Sequence, residues 1–302
     1  GAPHPRMAAG LFGQDAAEAA FLQAFNSKRL HHGWLISGPR GVGKATLAWR
    51  IARFLLAQPV DNAEALLPRP AATSLAVDLA QPLQRRIAAL SEPRIFLCRR
   101  PWDAKAERLK QDITVDEVRK VKGFFNLSAA DGGRRVVIVD AADEMNNSAA
   151  NALLKILEEP PENATLLLVS HRPLSLLPTI RSRCRTLACR SLLPDDLAQA
   201  MQAAGFAPDN QTEALATLAA GSVGEAIRLL ADDGVLLFAS LIRLFSDPKG
   251  RMDRGQAIAL AESCTGKAGQ PRYDMALRLL SILLHRLATS GVSGPPQPPA
   301  HK

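Results

Sequence analysis

An open parallel sheet covered by helices, followed by all-helical domains, is the architecture this sequence predicts, on three observations. The short apolar run Trp34-Leu35-Ile36-Ser37 leads into a glycine-rich loop, Gly38 to Lys44, and then into a stretch of helical period. Further apolar runs, the clearest being Val136 to Val139 and Leu166 to Val169, alternate with helical stretches. Runs with no polar alternation belong to strands buried on both faces of a parallel sheet. After Leu192 the strand signals stop and only helical period remains.

Each element follows from its local pattern. Residues 11–30 carry apolar side chains one turn apart at Ala17, Phe21 and Phe25, which predicts a helix. Trp34–Ser37 is a buried strand, and from Lys44 the positions Leu47, Ala48, Ile51, Ala52 and Leu55 mark a second helix. Residues 58–93 are less periodic and hold Pro59, Pro68, Pro70, Pro82 and Pro93. Ile95–Cys98 is a candidate strand, and Thr114-x-x-Glu117 reads as a capping box opening a helix through Val118, Val121 and Phe125. Val136–Val139 ends in Asp140; the helix Asn147–Glu159 is stopped by Pro160-Pro161; Leu166–Ser170 is another buried strand. Helices follow at Asp195–Gly205, Thr212–Ala220 and Gly221–Leu230, then through 235–290. The tail, Gly291–Lys302, contains Gly-Pro-Pro-Gln-Pro-Pro and is expected to be disordered.

Composition narrows the function classes. With 302 residues, 47% hydrophobic and 22% charged, the chain can bury cores in about two or three domains and is not a disordered protein. It has no apolar run of membrane-spanning length. Cys98, Cys184, Cys189 and Cys264 are scattered without a C-x-x-C pair, so neither a disulfide framework nor a zinc site is expected. Residues 1–7 have no apolar stretch of a signal sequence, and with reduced cysteines the expected compartment is the cytoplasm. The net charge of +8 allows contact with a polyanion such as nucleic acid and equally describes a basic surface.

The chemistry centres on Gly38-Pro39-Arg40-Gly41-Val42-Gly43-Lys44-Ala45-Thr46. Gly38, Gly43 and Lys44 fit the phosphate-binding pattern G-x-x-x-x-G-K-[ST], in which backbone N–H groups close on phosphate oxygens and the lysine reaches the terminal phosphates. Ala45 stands where a hydroxyl would hold Mg²⁺, and Thr46 is displaced by about 100° around the helix. The loop is built to hold a nucleotide and poorly built to hydrolyse one.

The run Asp140-Ala-Ala-Asp-Glu-Met-Asn-Asn-Ser-Ala-Ala-Asn-Ala-Leu-Leu-Lys-Ile-Leu-Glu-Glu-Pro-Pro161, followed by Ser182-Arg183-Cys184, resembles subunits of the bacterial sliding-clamp loader, an AAA+ assembly of DNA polymerase III. The resemblance extends over about residues 10–290 and implies an AAA+ α/β domain (1–190), a small helical lid (191–234) and a helical collar domain (235–290), short or incomplete for a collar, before the tail 291–302. Within that family the departures point to the non-motor, delta-prime branch. Asp140 keeps the Walker B acid, but Ala141 stands where the motor subunits carry the water-positioning Glu, with Glu144 aimed elsewhere. Gly224, in Gly221-Ser222-Val223-Gly224, replaces a γ-phosphate-sensing arginine, while Ser170 holds the sensor-1 position. Arg183 is intact and by resemblance is an arginine finger for the neighbouring subunit; its plain alternative is pairing with a nearby acid. The site residues implied are therefore Gly38, Gly41, Gly43, Lys44, Thr46, Asp140 and Ser170 in cis and Arg183 in trans. The expected cofactor is ATP or ADP held without hydrolysis. Zinc is not expected, since the family's four-cysteine module is missing from residues 57–100. Expected partners are the gamma/tau motor subunits and the delta subunit, with the clamp and primer–template DNA met through the assembly.

Other residues leave alternatives open. Gln14 resembles a family residue near the adenine, and is as readily a surface glutamine; His31-His32 suit a helix-end pair better than a metal site. Arg134 and Arg135 face DNA or solvent, and Lys155, Glu158 and Glu159 an interface or solvent. The rival readings are a gamma/tau-like motor ATPase, a small-molecule P-loop kinase and a DNA-binding adaptor outside replication. Ala45, Ala141 and Gly224 oppose the first, and the segment 158–161 and the triplet 182–184 have no role in the second.

Overall fold

A computed structural model describes residues 4–8, 10–59, 70–126, 133–207, 211–245 and 253–293. Its centre is an all-parallel five-stranded sheet of β1 (Gly33–Ser37), β2 (Ile95–Arg99), β5 (Arg135–Asp140), β6 (Ala164–Ser170) and β7 (Arg185–Ala188), in the order β2-β5-β6-β1-β7. The register places Ser37 beside Ser170 and Ala188, and Asp140 beside Val169. The ends of β1, β5 and β6 therefore converge on one edge, where open α/β sheets bind ligands.

Helices cover both faces. On one side α1 (Asp15–Asn26) and α2 (Lys44–Ala57) bury Phe21, Trp34, Trp49 and Phe54 against the sheet, with α3 (Pro82–Ala88) alongside. On the other side α4 (Val115–Asn126) and α5 (Asn147–Glu158) bury Val118, Val121, Leu153 and Leu157. The first helix is shorter than the expected 11–30. Gly13 takes a left-handed conformation before it, and Lys28 turns left-handed after it. At the expected capping box the Glu117 and Val118 N–H groups bond the Thr114 carbonyl, and the Glu117 carboxylate also accepts from Lys120 at 2.6 Å. Several short elements escaped sequence reading: a hairpin of β3 (Trp102–Asp103) and β4 (Arg108–Leu109), α6 (Pro178–Ser182) and the edge strand β7, which has one buried residue and no apolar run.

The helical part holds α7 (Pro194–Ala203), α8 (Thr212–Ala219), α9 (Val223–Ala231), α10 (Gly234–Phe245), α11 (Arg254–Ser263) and α12 (Gly266–Ser293). Leu197, Leu215, Leu229, Leu241 and Leu279 belong to one apolar core that runs from α7 to α12. Across it, the buried Glu225 of α9 pairs with Arg278 of α12 at 2.8 Å, and Arg286 bonds the Thr217 carbonyl at 2.7 Å. Residues 291–293 continue α12 into the segment expected to be disordered, and the rest of that tail, 294–302, lies outside the described residues, as does Pro68. Among the described residues no helix is long and apolar enough to cross a membrane.

Candidate functional site

The phosphate loop lies at the end of β1, and Gly43, in a left-handed conformation, starts α2. Gly38 and Gly41 are required by close approach as well as by backbone: a Cβ at Gly38 would lie 2.2 Å from the Cys189 carbonyl, and one at Gly41 would lie 2.1 Å from the Ser222 hydroxyl. Lys44 is 3% exposed, and its ammonium donates to the carbonyls of Gly38, at 2.7 Å, and Pro39. Burial pushes its pKa down to about 8, against the pull of Asp143 and Asp140.

Asp140 ends β5 beside this lysine. Burial, reinforced by Glu144, holds its carboxyl above the usual range. Glu144 pairs with Arg100 at 2.8 Å and, more loosely, with Arg40 of the loop at 3.7 Å. Ser170, fully buried, ends β6 next to His171. The His171 backbone N–H donates to Asp143 at 2.8 Å. Burial works to raise the Asp143 pKa, but the hydrogen bond from the His171 backbone N–H outweighs it and holds the carboxylate low. The His171 ring is pushed down to about 4, first by burial and then by Lys44.

Beside the loop opens a cavity of about 450 Å³, walled by Leu11, Phe12, Val169, Leu192, Ala203 and Ile227 and reached at its loop end by Lys44, Thr46 and His171. Its size and apolar lining suit a small-molecule site. The loop end also meets the lid: the Val223 N–H donates to the Gly41 carbonyl at 2.9 Å, and Gly224 lines the cavity without a charge. These residues fit a nucleobase and phosphates. For Mg²⁺, Ala45 offers no oxygen, which leaves Asp140 as the remaining candidate ligand.

Arg183 lies elsewhere. It follows α6 and precedes β7, whose first residue pairs with Trp34 at the start of β1. Its guanidinium bonds Glu158 at 3.1 Å and the Thr179 carbonyl at 3.1 Å, and its side chain is 38% exposed. The phosphate loop follows the far end of β1, so Arg183 and its own loop occupy opposite edges of the sheet.

The structure also places the residues the sequence left open. Gln14 is buried and bonds the carbonyls of Val42, at 3.0 Å, and Arg190, at 2.8 Å, so it ties the loop to the exit of β7 and is not a surface glutamine. Arg134 and Arg135 stack over Phe25 and Phe125, 5.5 and 5.4 Å from the ring centres, so neither faces freely outward. His31 and His32 stack on each other, their nitrogens within bonding distance of the Gly33 and Leu157 carbonyls. No group of three metal-ligating side chains occurs among the described residues. The four cysteines are free, and burial pushes the Cys98 and Cys184 thiols up to about 12.

By comparison with known proteins, the chain is similar to subunits of DNA polymerase III. The family described as DNA polymerase III, delta subunit, matches residues 13–192. A DNA polymerase III subunit delta' of Pseudomonas aeruginosa is 40% identical over 193 residues, covering 64% of this chain and 53% of that protein. The subunit delta' of Escherichia coli K12 is 33% identical over 162 residues, covering 54% and 43%. The chain thus spans about half the length of the curated relatives it matches. A crystal structure of a DNA polymerase III gamma subunit-related protein from Thermotoga maritima aligns over 88% of this chain and 84% of its own, at 20% identity and a TM-score of 0.44. The matched segment holds the phosphate loop, Asp140, Ser170 and Arg183, and the chain belongs to the DNA polymerase III delta subunit family.

Proposed function

We propose that this chain serves as the delta-prime, stator-like subunit of the DNA polymerase III clamp loader, holding nucleotide without hydrolysing it and lending Arg183 to a neighbouring motor subunit. The observation that carries the reading is the separation of Arg183 from its own phosphate loop by the length of β1. Trp34 to Ser37 is three strand steps, about 10 Å, and Arg183 precedes β7 by two residues more. A phosphate that Arg183 meets therefore belongs to another chain. A guanidinium supplied in trans stabilises the charge developing on a transferring phosphoryl group and in comparable enzymes is worth about 10³–10⁵ in rate.

The cis site supports the complementary half. ATP or ADP would rest its base in the apolar cavity and its phosphates against Lys44 and the loop N–H groups. Ala45, Ala141 and Gly224 withdraw the metal ligand, the water-positioning acid and the sensing cation. The working partners are the gamma/tau motor subunits and the delta subunit, with the sliding clamp and primed DNA engaged through the assembly.

ATP turnover by a reconstituted loader tests both halves. Arg183→Ala lowers turnover and Lys44→Ala leaves it unchanged if the reading holds. A share of turnover lost with Lys44→Ala would install the motor reading in its place.

A further inference from the structure

Arg53 of α2 is a buried cation without a counterion. It is 3% exposed, and its terminal nitrogens donate to the backbone carbonyls of Arg6, at 3.4 Å, and Ala8, at 2.9 Å. These carbonyls supply acceptors but no charge, and the Arg53 Nε–H is buried without a partner. Among the described residues Arg53 forms no ion pair. Arg50, one turn earlier on α2, is engaged by Glu18 at 2.6 Å. Burial, and then the charge of Arg50, lower the Arg53 pKa from its ordinary value. A guanidinium nevertheless keeps its proton, and buried charges are as a rule paired.

This charge borders a space. A second cavity, of about 80 Å³, is lined by Arg50 and Arg53 on one side and by Leu75, Ala76, Val77 and Leu79 on the other. Leu75 is buried, whereas Ala76 and Leu79 are exposed, so the cavity meets solvent along that segment. Asp78, the acid of the segment, is not part of the lining; it is exposed, and its carboxylate accepts the Ala80 N–H at 2.9 Å. Glu92, buried beyond α3, is held by Arg86 and Arg94. A water occupies about 30 Å³ of liquid, so the space has room for two or three waters or for one small oxyanion, and for no nucleoside.

We propose that the cavity between α2 and residues 75–79 is a binding site for a small tetrahedral oxyanion of the phosphate or sulfate class, with Arg53 as its main ligand and Arg50 adding charge. A guanidinium meets the oxygens of such an ion with directed N–H bonds. A neutral ligand would leave the buried charge uncompensated. Lys44 and the phosphate loop line the larger cavity and not this one, so the two sites are distinct. The inference does not rest on the nucleotide reading above.

Thermal unfolding of the full chain in a Lys44→Met background tests it, because that change removes the lysine of the phosphate loop and touches no residue of the second cavity. Tryptophan fluorescence follows the unfolding, with Trp49 next to Arg50 as one reporter, while sodium phosphate replaces sodium chloride at constant ionic strength. The midpoint rises and saturates, by about 2–4 °C at phosphate ten times its dissociation constant. Arg53→Gln abolishes the saturating rise. Ala76→Glu, which brings a carboxylate to the cavity mouth, abolishes it as well, and decides the matter if Arg53→Gln does not fold. A rise that never saturates, or that Ala76→Glu or a folded Arg53→Gln shares, is general salting of the protein surface, and the cavity then holds only water. That result, like the absence of any rise, overturns the proposal. Neither arm measures nucleotide at Lys44, so the reading above stands or falls separately.

Discussion

The backbone N–H of Val223, first residue of α9, donates to the carbonyl of Gly41 in the phosphate loop at 2.9 Å, so the helical part is bonded directly to the loop. Gly41 is left-handed there, and its missing side chain is what lets the Ser222 hydroxyl approach. Gly41→Ala meets strain and a clash together and should cost about 1–3 kcal/mol. Denaturant unfolding gives the loss, and amide exchange at Val223 should rise in the variant.

Arg183 is held by Glu158 while both remain substantially exposed. Such pairs contribute about 0–1 kcal/mol, so Glu158→Gln should leave the melting temperature nearly unchanged. If the arginine serves a neighbour, freeing it should leave turnover of the assembled loader equal or higher, whereas Arg183→Ala lowers it. Steady-state ATP turnover of the two variants side by side separates a finger from a surface pair.

Burial holds Lys44 down to about 8 against an ordinary value of 10.5. Between those values the unfolded chain keeps a proton the folded chain has released, so this lysine makes stability rise with pH across that window. Below pH 8 both states are protonated and the full cost of burying the charge is felt. Lys44→Met should therefore be more stable than wild type near pH 7, on the order of 1–2 kcal/mol, with the advantage shrinking towards pH 10.5. The buried thiols titrate in the opposite sense and cancel in the comparison. Unfolding midpoints of both proteins at pH 7 and 9 measure it.

Glu225 is buried and shared by Arg228 and Arg278. Glu225→Ala leaves Arg278 without its anion and should cost about 1–3 kcal/mol, and Glu225→Gln less, since it keeps an acceptor. Limited proteolysis of α12 should quicken in the same order.

Asn146 caps α5 through a 2.9 Å bond from the Ala149 N–H. Asn146→Ala should lose about 1 kcal/mol, read from the denaturant midpoint.

What the sequence disclosed was local. The α5 helix lies within one residue of its expected span because Asn146 starts it and Pro160 stops it, both next to it in the chain. The buried strands were legible as unbroken apolar runs. Their order was not, because pairing joins β1 to β7 across some 150 residues of sequence. Gln14 bonds Arg190 at a separation of 176 residues, and no window of sequence contains both. The β3–β4 hairpin fell below any periodicity, though a tryptophan among charges, between Pro101 and Asp103, was its available signal. In the site, Ala45 and Ala141 could be read as missing groups, but the turning of Lys44 onto its own loop carbonyls required coordinates.

The shared core of α7 to α12 has a mechanical consequence. The last helix is 28 residues long with Pro271 inside it, and its buried Met275, Leu279 and Leu283 share one core with α9, the helix whose first N–H bonds the phosphate loop. Loss of that core would therefore loosen α9 and α12 together.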